Sequence, residues 1–279
     1  MKSMKLLLKM LALFLFIFVM PNFVEAQTVK KKKRSIKNKI QRLNRQSNQL
    51  DDYEIDATDL QNARLYLDNN LLYQTVSNDS SLLINNTTFR VKVNNWLDFR
   101  VLNDITRVRN TTSAYDESGF MPLTIGTRIV LKQAIKQLPE IGFEAYFTLP
   151  KIGAEAFRTL TTAPIFFATF EHTLSDKWSI AYNVGLSFDG ETKVPYYNIV
   201  ANTTYNFSDK LSLYADYIDI IQKGSLPYQS VDLGASYDLT KSFSVNITAG
   251  TAINAPVSDL FANLGFSWSL PKLKRKIQK

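Results

Sequence analysis

In the C-terminal third of the chain, apolar and polar residues alternate with a period of two. From Trp178 one set reads Trp178, Ile180, Tyr182, Val184, Leu186 and Phe188, and the other reads Ser179, Ala181, Asn183, Gly185 and Ser187. In an extended strand these sets point to opposite faces. The split recurs for Phe243, Val245, Ile247 and Ala249 against Ser242, Ser244, Asn246, Thr248 and Gly250. It recurs again for Leu260, Ala262, Leu264, Phe266 and Trp268 against Phe261, Asn263, Gly265, Ser267 and Ser269. Strands of soluble sandwiches are usually about 5–6 residues long, whereas a tilted membrane strand needs about 9–11. The runs here are of the longer kind, with aromatic residues near their ends, as at the two interfaces of a membrane barrel.

Turn spelling supports the same reading. Leu174-Ser175-Asp176-Lys177-Trp178, Phe207-Ser208-Asp209-Lys210-Leu211 and Leu239-Thr240-Lys241-Ser242-Phe243 are near copies, separated by longer and more variable loops. Short turns at one end and longer loops at the other mark an up-and-down barrel. The pattern predicts a closed antiparallel transmembrane β-barrel of about twelve strands, over 61–69, 82–93, 96–105, 121–133, 140–149, 159–173, 177–188, 194–207, 210–220, 227–239, 242–252 and 259–270. A long polar loop is expected over 106–119, and Pro164 and Pro195 fall where a strand tolerates proline poorly. With an even strand count both ends of the barrel lie on one side, the periplasmic side if the short turns face it.

The N-terminus places the chain in the export pathway. Lys2, Lys5 and Lys9 precede the apolar stretch Leu11–Met20, which is too short to span a bilayer as a helix, and Val24-Glu25-Ala26 reads as a cleavage site. Residues 1–26 are therefore expected to be a signal peptide, 27–60 a largely flexible periplasmic segment, basic then acidic, 61–271 the barrel, and 272–279 a basic periplasmic tail. The absence of cysteine excludes lipoprotein attachment, disulfides and thiolate metal sites.

The formal charge of +8 conceals a division. Nine basic residues crowd between Lys30 and Arg45 and five lie in the tail, while residues 51–271 hold 24 acidic and 16 basic side chains. In an exported chain the basic segment reads as a solvated periplasmic stretch with possible anionic contacts at the inner leaflet, not as a nucleic-acid site.

From Leu123 to Leu270 the sequence resembles the outer-membrane family named for the MetA pathway of phenol degradation. The resemblance is carried by Leu123–Arg128, Pro139–Pro150, Trp178–Gly190, Val231–Thr240 through Thr251, Ala255-Pro256 and Leu264–Ser267. The chain departs from the family in Lys151 after Leu149-Pro150, in the basic N-terminal insert, and in ending on a basic tail rather than an aromatic residue. The resemblance implies a transporter-like outer-membrane barrel of a Gram-negative bacterium, with small aromatic or apolar compounds as candidate solutes. Two other readings stay open: a closed structural or secretion-associated barrel, and a lipid-modifying barrel enzyme.

Chemistry is sparse. His172 is the single histidine and points outward by parity, there is no Gly-x-Ser-x-Gly elbow, and the acidic run Asp51, Asp52, Glu54, Asp56 and Asp59 lacks the spacing of a calcium loop. No cofactor or metal is expected. The expected partners are outer-membrane lipid, a small-molecule solute, and periplasmic components met by the basic segment. Parity places Arg90, Lys92, Arg100, Arg128 and Lys132 in the lumen on one wall. It places Glu144, Glu171, Asp216, Asp232 and Asp238 there on later strands. These groups either line a narrow path and set a field across it, or pair and plug it. Leu174, Trp178, Phe207, Leu211, Leu239 and Phe243 are expected to form an outward girdle at the short-turn end.

Overall fold

The structure, a computed structural model, describes residues 63–77, 80–111, 115–133, 138–254 and 259–271. The expected signal peptide, the segment 27–60 and the basic tail 272–279 lie outside these residues. The strands are β1 (Ala63–Ser77), β2 (Ser80–Asn94), β3 (Leu97–Asn110), β4 (Tyr115–Phe120), β5 (Thr124–Lys132), β6 (Glu140–Thr148), β7 (Ala163–Thr173), β8 (Trp178–Ser187), β9 (Tyr196–Asn206), β10 (Leu211–Gln222), β11 (Tyr228–Thr240), β12 (Phe243–Ala252) and β13 (Leu260–Pro271). All pair in one antiparallel sheet, in which β1 lies between β2 and β13, and the β2–β3 pairing closes the ring. Closure pairs every strand except β4 on both sides, so the ring itself presents no open edge to lipid.

Thirteen strands occupy twelve barrel positions. β3 pairs with β5 over Leu97–Leu102 and with β4 over Ile105–Asn110, so β4 and β5 are two halves of one position. The break falls at Met121-Pro122-Leu123. Pro122 has no N–H to give to a ladder. Beyond the break the returning chain takes over as neighbour. Leu123 N–H donates to the Ile152 carbonyl (3.1 Å) and Ala154 N–H to the Phe120 carbonyl (2.8 Å). A single 3-10 turn, Glu155–Phe157, buries Phe157 beside Gly119.

The polar loop expected over 106–119 is largely a β3–β4 hairpin, and the first strand reaches Ser77 rather than residue 69. Of the two prolines, Pro164 sits second in β7 and Pro195 immediately precedes β9. Both are places where a missing donor costs little.

The repeated turn spelling has a bonding reason. Ser175 Oγ accepts from the Trp178 and Lys177 N–H groups (3.1 and 3.3 Å), and Ser208 Oγ accepts from those of Leu211 and Lys210 at the same distances. The third copy is one residue tighter. Thr240 pairs with Phe243, and Thr240 Oγ1 accepts from Ser242 N–H at 3.2 Å.

The outer face is an apolar band that includes Leu233 at 70%, Leu264 at 61% and Ile247 at 58% exposure. On β3 and β4 it ends at Ile105 and Phe120. Arg107 and Asp116 follow on the same face as a two-pronged ion pair, Nε–Oδ1 2.8 Å and Nη2–Oδ2 2.6 Å. There the Arg107 hydrogen bonds hold the Asp116 carboxyl below its ordinary range.

Candidate functional site: the barrel interior

The interior is mixed, with apolar side chains such as Leu72, Ile84, Val200 and Ile218 buried alongside polar ones. Asp68, Asn70, Asn86, Asp104, Asn198 and Asn202 are buried there, in the alternating register that leaves Leu71, Val91, Val101 and Ile199 exposed outside.

The densest charge cluster lies on β1–β6. Arg100, with a side chain 1% exposed, donates from Nε to Asp98 (2.8 Å) and from Nη1 to the Tyr146 hydroxyl (2.6 Å). Its Nη1 also lies 3.5 Å from Glu144. The Tyr146 hydroxyl in turn donates to Glu144 at 3.0 Å. Arg128 completes the set, 3.3 Å from Glu140 and 3.6 Å from Glu144. Next to it, Arg90 Nε donates to Asp68 (2.8 Å), with its guanidinium 5.0 Å from the centre of the Tyr66 ring. Arg90 and Arg100 are direct cross-strand neighbours. Like charges so placed repel. Each is therefore anchored by a carboxylate of its own.

Glycine allows the reach from Arg100 to Tyr146. Gly126 of β5 lies opposite both, on β3 and β6. A Cβ on Gly126 would stand 2.1 Å from the Tyr146 ring, so the ring lies flat over the missing side chain and crosses β5. The far wall repeats the device. Tyr214 crosses Gly234 to meet the Thr248 hydroxyl at 2.5 Å. A Cβ on Gly234 would stand 2.0 Å from Tyr214 Cζ. Gly234→Val is expected to cost about 1–3 kcal/mol by forcing the ring off its site. Most of that penalty should vanish in a Tyr214→Ala background, a non-additivity readable in urea titrations of the folded barrel.

Glu144, Asp216 and Asp232 are buried in the interior, and Asp216 faces Asp232 directly across β10–β11. Asn202 Nδ2 donates to Asp216 at 2.6 Å. Lys92 lies opposite Asp98, and Glu171 opposite Glu140. Asp238 lines a cavity of about 620 Å³ at the short-turn mouth, with Arg90, Ser236, Ser244 and Ser267. Lys132 is corrected. A bulge between Val130 and Lys132 sets it opposite Ile141, a member of the outward set, and it is exposed. A single extra residue is enough to turn a side chain through the sheet.

The sequence reading missed Asp68, Asp98, Tyr66 and Tyr146. The acids share the parity of Arg90 and Arg100, which was the available signal. Tyr146 becomes legible once Gly126 is known to lie opposite it, and Tyr66 shares the inward parity of Asp68.

At the short-turn end Leu174, Trp178, Phe207 and Leu239 are exposed, and Leu211 and Phe243 are half-buried. Trp178 packs on Tyr205 (ring centres 4.8 Å apart) and Phe243 on Phe266 (5.7 Å). His172 lies opposite Ile180 on the outer face and stacks on Tyr182 at 5.8 Å.

Residues 35–270 match the family described as putative MetA-pathway of phenol degradation. The chain belongs to this family. No curated protein matches it. Among solved structures it is similar to the COG4313 outer-membrane channel from Pseudomonas putida F1, with TM-score 0.59 and 15% identity over 78% of this chain and 100% of that one. It is similar to the NanC porin, with TM-score 0.54 and 8% identity over 73% and 100%. It is also similar to the KdgM porin in complex with disordered oligogalacturonate, with TM-score 0.53 and 12% identity over 74% and 99%. At these identities the likeness is one of fold: a closed antiparallel β-barrel. These neighbours are channels and porins rather than enzymes.

Proposed function

We propose that this protein is an outer-membrane channel through which small solutes diffuse passively along a charged lumen. One observation carries the reading: the interior ion pairs of Arg90, Arg100 and Arg128 run along the wall. Arg90–Asp68 joins β2 to β1, Arg100–Asp98 stays within β3, and Arg128 meets two acids of β6. The longest reach, Arg100–Glu144, crosses only the glycine position of β5. A salt-bridged plug needs pairs that cross the lumen. Pairs held flat balance the charges without crossing the lumen, and a cavity opens at the short-turn mouth beside them.

Towards the longer loops Tyr196, Val200, Ile218 and Ile220 form a buried apolar cluster, with Tyr228 packed on it. This stretch, with the family description, supports small aromatic or apolar compounds among the solutes. The girdle around Trp178 and Phe243 marks the periplasmic interface, where amphipathic rings prefer to sit. The protein acts without covalent chemistry, and His172 serves at the outer face as a ring stacked on Tyr182.

The test is single-channel recording in planar bilayers. Discrete conductance steps are expected from protein that runs as a folded, heat-modifiable band. Folded protein that inserts without conducting would instead be a structural barrel.

A further inference from the structure

The apolar band of the outer face is interrupted by side-chain amides midway along three adjacent strands. Asn69 of β1 pairs with Thr87 of β2, and Thr87 pairs with Asn103 of β3, so the three form a row across the barrel wall. Asn85 stands next to the row. All four alternate with inward residues such as Asn70, Asn86, Thr88 and Asp104, which fixes their outward direction. The same face is apolar above and below, with Tyr73 at 50%, Val91 at 46% and Phe99 at 52% exposure.

The row is partly self-satisfied. Asn69 Nδ2 donates to Thr87 Oγ1 (2.8 Å) and lies within bonding distance of Asn85 Oδ1 (3.1 Å) and the Asn86 carbonyl (3.0 Å). Asn85 Nδ2 returns a bond to Asn69 Oδ1 at 3.2 Å. Asn103 makes no side-chain hydrogen bond among the described residues. Hydrocarbon offers an amide nothing to bond, and polar side chains at membrane depth accordingly face protein or water. Asn103 turns to neither within its own barrel, and its strand parity directs it at lipid.

We propose that the outward faces of β1–β3 form a two-fold interface with a second copy of this chain. A primary amide both donates and accepts, so two Asn103 side chains brought together across a two-fold axis satisfy each other with a reciprocal pair of bonds. A self-complementary patch is what an isologous contact requires. The apolar residues around the row supply the packing, as small polar groups within apolar surfaces do between membrane segments.

The chain has no cysteine, so one introduced thiol reports one position. Asn103→Cys, with Val101→Cys beside it as a second probe, is compared with Leu233→Cys on β11, which is 70% exposed. Isolated outer membranes are treated with a short bis-maleimide after a heat-modifiability check of folding. A cross-linked band of twice the monomer mass is expected at 103 and 101, at least ten times the yield at 233. Equal yields at the three positions, no band at 101 or 103, or a band at another mass would overturn the proposal, the last by placing a different protein on the patch. In detergent, the unmodified chain should sediment as a dimer, Asn103→Gln should keep that state, and Asn103→Leu should lose it. A monomeric unmodified chain would count against the interface. None of these readouts depends on conductance, so they stand or fall separately from the channel assignment.

Discussion

Ile247→Arg is expected to destabilise the barrel by about 2–4 kcal/mol, and Asn246→Arg by far less. The two residues are adjacent in β12 and differ in the face they occupy. Ile247 is 58% exposed on the outer surface at the centre of a ten-residue strand, opposite Leu264 and Ala235. A guanidinium there must enter hydrocarbon or drag water in with it. Asn246 is buried in the interior, opposite Gly265, in polar surroundings that include the Asn70 amide lying over that glycine. Val245→Arg, two residues nearer the short turn, should cost less than Ile247→Arg because the penalty falls towards the interface. Equilibrium refolding into lipid vesicles measures all three. Equal costs for Ile247→Arg and Asn246→Arg would mean that the two faces of β12 are exchanged.

The alternation made most of the barrel legible because, within the hydrocarbon, one face of every strand must be apolar. Where that constraint lapses, the signal lapses with it. Arg107, Arg109, Asp116 and Glu117 lie on β3 and β4 beyond the band, so this paired stretch read as a loop. The second half of β1 read poorly for a related reason. Its outward Asn69 sits among inward Asp68 and Asn70, which erases the period of two just where the strand continues. Lys132 was misplaced by a bulge, a backbone event with no composition of its own. The charge cluster was half legible. Parity gathers Arg90, Arg100, Arg128 and Glu144 on one face, but the pairing of Arg100 with Tyr146 and Glu144 depends on register across β5, and that register places Gly126 between them.

Arg100→Ala is expected to change both stability and permeation. The side chain is 1% exposed and bonds to Asp98, Tyr146 and Glu144 together. Removing one partner of a buried ion pair strands the other, at a typical cost of about 3–5 kcal/mol. Here the lower end is expected, because Arg128 stands 3.6 Å from Glu144 and can take over part of its charge. Arg100→Lys should recover little, since one ammonium cannot reproduce the fork that reaches Asp98 with Nε and Tyr146 with Nη1. For permeation, loss of the guanidinium widens this part of the wall and leaves Asp98 and Glu144 with less neutralising charge. Single-channel conductance should therefore rise, and reversal potentials in a salt gradient should move towards cation preference. Arg90→Ala, which frees Asp68 at the short-turn mouth, should shift selectivity in the same direction. If both variants fold and conduct with unchanged conductance and selectivity, the β1–β6 wall does not meet the permeating solute, and its ion pairs serve only to hold that side of the barrel together.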